Sequence, residues 1–145
     1  MNREQAVRKI FFDILTGKLI RSDISQIIGV FDGQADTSKV YVIFDRQTAR
    51  FSGDFRNQVW DATFEMNIVH KQEFSYTKDI IDDICIQVED IILPGNAAQN
   101  GLGTVSGWNI NTVSLDYIDY SDFRISSTET MCVKNLTFNF KIQKT

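Results

Sequence analysis

One histidine, one proline and two cysteines are all that this 145-residue sequence offers of three residue types that usually announce chemistry or interrupt structure. A lone imidazole, His70, excludes a histidine-built metal centre, and any Ser-His-Asp or Cys-His nucleophile would have to be assembled around it. His70 falls on the apolar parity of its segment and therefore reads as a structural histidine. Cys85 and Cys132 lie beside apolar neighbours, one in a helical pattern and one in a strand pattern. They read as small buried hydrophobes in a reducing compartment rather than as a disulfide framework. No apolar run approaches the ~20 residues that cross a bilayer, so no membrane partner is expected. The start, Met1-Asn2-Arg3-Glu4-Gln5, reads as the approach to a helix and not as a secretory leader.

Positive charge is also scarce. Fifteen Lys and Arg face nineteen Asp and Glu, for a formal net charge of −4 and a pI near 4.9. No stripe of Lys and Arg is present to neutralise a duplex, so sequence-specific DNA binding is not expected. An acidic surface still suits a passage through which DNA slides without sticking. Phosphate and metal motifs are missing too. Gly101-Leu102-Gly103 has no third glycine and no helix behind it. The run from Asp116 to Asp122 lacks the glycine and terminal glutamate of a calcium loop. Asp79, Asp82 and Asp83 read as one solvated helix face. The sequence thus predicts no catalytic, cofactor-binding or metal-binding residues, and no enzyme.

What is present is periodicity. From Val59 to His70 the apolar residues Trp60, Ala62, Phe64, Met66 and Ile68 alternate with Asp61, Thr63, Glu65 and Asn67, a strand with one dry and one wet face. Residues from about Arg3 to Thr16 repeat Ala6, Val7, Ile10, Phe11, Ile14 and Leu15 at helical spacing, with Gly17 as the stop. A second amphipathic helix runs from about Ser75 to Leu93 and meets Pro94-Gly95. Ile27 to Phe31 gives a short strand before the turn Asp32-Gly33. Val40 to Phe44 reads as a buried strand that continues as a looser ribbon to Phe51. Trp108 to Tyr120 is a strand whose apolar parity slips, which predicts a bulge near Asn111. Met131 to Ile142 is a regular strand. These elements predict a single α+β domain over 1–145, in the order α-β-β-β-α-β-β. Two helices cover one face of an antiparallel sheet of about four strands.

The turn Ser52-Gly53-Asp54 lies far from both flanking apolar runs, which predicts a long hairpin projecting beyond the core. Its arms carry Arg46, Arg50 and Arg56 around Phe51 and Phe55. Exposed aromatics beside arginines are interface material, so these five residues are the candidate subunit interface. The wet strand face, Asp61, Thr63, Glu65 and Asn67, is the candidate surface toward a lumen or a neighbour.

The ordered pieces from Ala6 to Leu15, Val30-Phe31-Asp32-Gly33, Val40-Tyr41-Val42-Ile43, Trp60 to Ile68 and Asn135 to Ile142 resemble the tail-terminator, or tail-completion, proteins of long-tailed bacteriophages. That family shares the order of a first helix, a short strand ending in Phe-Asp-Gly, a long hairpin, a second helix and a closing hairpin. The resemblance implies a structural virion protein at the tail or head–tail neck, assembled in the host cytoplasm. It implies a six-membered ring of this chain that ends the tail tube, contacts the tail tube protein and head–tail connector proteins, and lets DNA pass through its lumen without specific binding. Such a ring needs heterologous contacts that close. Two other readings fit the same residues. One is a head–tail connector or stopper ring. The other is a monomeric α+β domain holding a small ligand between sheet and helices, in a pocket lined by Trp60, Phe64 and Phe138.

Overall fold

The structure is a computed structural model that describes residues 1–33, 39–53, 58–73, 78–93 and 102–145. The first helix, α1 (Arg3–Leu15), begins at a reciprocal cap. Asn2 Oδ1 accepts from the Gln5 backbone N–H at 2.8 Å, and Gln5 Oε1 accepts from the Asn2 N–H at 3.0 Å, satisfying two otherwise orphaned donors. The helix stops at Thr16, and Gly17 turns the chain away at φ +78°, a left-handed conformation that glycine adopts at little cost.

Two pairs of residues follow, β1 (Ile20–Arg21) and β2 (Gln26–Ile27), which form a small antiparallel ribbon of their own. Then come β3 (Gly29–Phe31), β4 (Val40–Phe51), β5 (Val59–Glu73), the helix α2 (Asp79–Ile92), β6 (Gly103–Val105), β7 (Trp108–Arg124) and β8 (Glu129–Lys144). The main sheet has six strands in the order β3-β4-β5-β8-β7-β6. Among the described residues, the β3–β4 pair alone is parallel.

The expected class, α+β with two helices on a largely antiparallel sheet, stands. The expected four strands and seven-element order do not. The additional strands β1, β2 and β6 have two or three residues each, too few to leave a periodic signal. The arms of the β4–β5 hairpin are as long as expected but do not project. β5 pairs with β8 from Val59↔Gln143 to Glu73↔Glu129, so the described part of the hairpin lies within the sheet.

Even-numbered residues of β5 and β8 form the covered face. Phe64 lies opposite Phe138 and Ala62 opposite Phe140. The Phe11 ring of α1 stacks on Phe64 with centroids 4.5 Å apart and also meets Phe138 and Phe140 at 6.3 and 5.6 Å. The second helix buries Ile81, Ile84, Cys85, Val88 and Ile92. It is tied to the same sheet face by Lys134 of β8, whose Nζ lies 2.8 Å from Asp82. Among the described residues, no space is left for the anticipated ligand pocket beside Phe64 and Phe138: both rings are fully buried, and Phe11 packs against them.

Two irregularities decide which residues face where. A shift between Phe44 and Gln47 inverts the parity of β4, so that Phe44, Gln47, Ala49 and Phe51 all lie on the helix side. The slip foreseen near Asn111 appears as a register shift between Asn111 and Ser114, where Thr112 takes φ +55°. A second shift, between Leu115 and Tyr117, left no clear mark in the sequence because Val113, Leu115 and Tyr117 keep a regular alternation.

Candidate functional site on the open face of the sheet

The odd residues of β5 point away from the helices. Asp61, Thr63, Glu65 and Asn67 lie in register with Lys141, Asn139, Thr137 and Asn135 of β8, and Thr48 and Arg50 of β4 sit opposite Thr63 and Asp61. Side chains on this face bond chiefly to one another. Lys141 Nζ donates to Asp61 at 2.9 Å. The Thr48 and Thr63 hydroxyls meet directly. Asn67 donates to Asp45 at 3.2 Å and accepts from Asn135 at 2.8 Å, while Thr137 donates to Asn135. The result is a band of amides and hydroxyls with charges of both signs rather than a basic track. All four residues expected on the wet face are together on it.

The sheet also has two long unpaired margins. On its outer side β4 is paired with β3 only through Tyr41, Val42 and Ile43. On the opposite side, β7 is paired with β6 only from Trp108 to Ile110. Among the described residues, nothing pairs with the rest of either margin. The β4 margin carries Arg46 and Arg50. The β7 margin carries Asp116, Asp119 and Asp122 before Arg124. Exposed backbone donors and acceptors along such strands are templates for pairing with another chain.

The candidate interface residues are only partly brought together. Arg46, Arg50 and Phe51 are exposed on the β4 margin; Phe55 and Arg56 lie outside the described residues. Phe51, at 52% exposure, also has a partner within its own chain: its ring stands edge-on to Trp60 at 5.2 Å. Trp60 in turn meets Trp108 at 5.5 Å and carries the Arg3 guanidinium 4.6 Å from its ring centroid.

His70 sits on the helix face at 4% exposure, level with Val40 and Cys132. Burial, reinforced by Arg21 and Lys39 and opposed by Asp23, pushes its pKa down to about 4. It is a neutral buried imidazole near pH 7, without the solvent access a general base needs. Burial likewise pushes the Cys85 thiol up to about 11, keeping it as an unreactive thiol. Asp82 and Asp83 are more than solvated charges: the first pairs with Lys134, and the second accepts from Ser22 and Gln87 at 3.0 Å each. Among the described residues, no three of His, Cys, Asp and Glu gather where they could hold a metal ion.

The β1–β2 ribbon was not foreseen. Gln87 of α2 grips it: Nε2 donates to the Ile20 carbonyl at 2.8 Å, and Oε1 accepts from the Ile20 N–H at 2.9 Å. The only signal was the alternation of single isoleucines with polar residues from Ile20 to Ile27.

No model of a known protein family matches the chain, and no curated protein does. Among solved structures, it is similar to a chain of "Virion of native gene transfer agent (GTA) particle". The TM-score is 0.71 at 11% identity, over 97% of this chain and 96% of that one. At this identity the likeness concerns the fold, and it takes in nearly the full length of both chains.

Proposed function

We propose that the protein is a structural component of a phage-like virion. It assembles as a ring, of six copies, that caps the tail tube and joins it to the head. The observation that carries this reading is the end-to-end fold likeness to a chain of a virion particle. Two features of the molecule support it. The sheet ends in two free margins of opposite character, arginine-bearing on β4 and aspartate-rich on β7, which suits a head-to-tail contact that closes on itself. The open face between them is polar and of mixed charge, so a lumen lined by Asp61, Thr63, Glu65 and Asn67 offers DNA no run of cations to grip. Tail tube and connector proteins are the partners of the two ring surfaces. A head–tail connector ring is the second reading and rests on the same features. The monomeric ligand-binding reading loses its support because Phe11 fills the space it needs.

In this reading Arg46, Arg50 and Phe51 of the β4 margin, together with Phe55 and Arg56, contact the next copy. Replacing Phe51 and Phe55 with serine leaves a folded protein that sediments as a monomer. A double variant that still sediments as a ring refutes the assignment of the interface.

A further inference from the structure

Three isoleucines of the β1–β2 segment, Ile20, Ile24 and Ile27, are 45%, 55% and 62% exposed. They stand on a ribbon held in place by Gln87 and by the Ser22–Asp83 hydrogen bond. Beside them opens a cavity of about 360 Å³ lined by Ile24, Ile27, Gly29, Val40, Arg21 and Lys39. Arg21 is bound to Asp23 at 2.9 Å, which leaves Lys39 as the cation at the rim without such a partner among the described ion pairs. The cavity is thus apolar on one wall and cationic on another.

The opposite margin of the sheet ends in the complementary chemistry. Near the β7–β8 turn, Phe123 and Ile125 are 51% and 48% exposed, and the exposed Asp122 immediately precedes them. The two features lie at the same level of the sheet. Val40, in the cavity wall, is in register with His70, His70 with Cys132, and Cys132 with Asp122, the residue before Phe123. A ring whose axis runs along the strands carries each point to the same level on the neighbour. It therefore turns the β7–β8 tip of one copy toward the β1–β2 cavity of the next.

The geometry points to a tip-in-socket contact between copies of this chain. Phe123 and Ile125 of one protomer seat against Ile24 and Ile27 of its neighbour, and Asp122, level with the cavity wall, approaches Lys39. The inference rests on the ring reading and adds a contact apart from the Phe51 surface.

The test uses the full chain. Ile27→Asp disables the socket, and Phe123→Ser disables the tip; both residues are exposed, so the core is untouched. Each variant is expected to weaken self-association about tenfold or more while its urea midpoint stays put. Mixed in equal amounts, the two variants are expected to form heterodimers that stop there, because one good tip and one good socket remain between them. Zero-length coupling of carboxylates to amines in the unmodified protein is expected to join Lys39 of one copy to Asp122 of another. If the wild type is a ring and either variant assembles as well as it does, the contact is wrong and the ring stands. If Ile27→Asp alone has an effect, the socket meets some other surface and the tip assignment falls. Absence of the Lys39 cross-link in rings also overturns the contact. A wild type that is monomeric at every concentration removes the ring reading itself.

Discussion

The substitution Gln87→Ala isolates the link between the β1–β2 ribbon and the rest of the molecule. Gln87 makes two hydrogen bonds to the backbone of Ile20, at 2.8 and 2.9 Å, and one to Asp83 within its own helix. A net ~1 kcal/mol for each bond to the ribbon gives about 2 kcal/mol in favour of the docked state. The bond to Asp83 is a part-buried pair at i and i+4 within one helix and adds a few tenths of a kcal/mol. Alanine is the better helix former, so α2 itself does not weaken. The loss therefore falls on local opening of the ribbon rather than on global unfolding. Native-state hydrogen exchange should show the Ile20 amide exchanging about 30-fold faster, with the buried strands near Met66 and Phe138 almost unchanged. A change of less than about threefold at Ile20 means that packing of Leu19 and Ile28, both buried, holds the ribbon and that the clamp is incidental. An equal loss of protection throughout the sheet means that the ribbon does not open as a separate unit.

Three further outcomes follow from the geometry. His70 has a folded-state pKa of about 4 against an ordinary 6.5. The unfolded chain therefore takes up a proton first as pH falls, and the stability this contributes is complete above about 6.5 and is lost progressively toward 4. It amounts to no more than about 3.5 kcal/mol. Urea titrations of wild type and His70→Leu between pH 7 and 4.5 should diverge in slope, and parallel curves sink the assignment. Phe11→Ala should cost about 4 kcal/mol, because the ring is fully buried against three others; a loss below 2 kcal/mol in denaturant midpoints indicates that the helix–sheet packing is loose. Thr112 is β-branched and held at φ +55° in the β7 bulge, so Thr112→Gly should raise stability by up to about 1 kcal/mol, and a clear loss in thermal unfolding contradicts the strain.

The long elements were legible in the sequence because their periods are clean. α1 ends where Gly17 turns the chain, β5 alternates as expected, and the bulge after Asn111 follows from the parity slip in Trp108, Ile110 and Val113. The shortest strands, β1, β2 and β6, were not legible. The short strand at Ile27 to Phe31 was read and appears as β3 (Gly29–Phe31), but the three residues of β6, and the two each of β1 and β2, take their structure from the neighbours they pair with rather than from their own pattern. The expected projection of the β4–β5 arms failed for a related reason. The bulge after Phe44 puts Gln47, Ala49 and Phe51 on the helix side, so a stretch that reads as polar and loose is an ordinary sheet margin. At the candidate site, the wet face of β5 was fully readable from alternation. The partners that bind Asp61, Thr63 and Asn67 across strands were not, because cross-strand register is set by pairing.

The mass of the native particle tests the central claim most directly. Light scattering on the purified protein at increasing concentration, with electron microscopy of the same fractions, should give a species close to six times 16.6 kDa, seen end-on as a ring with an open centre. A species that stays at 16.6 kDa across the whole concentration range, or one that grows into open filaments without closing, contradicts the account.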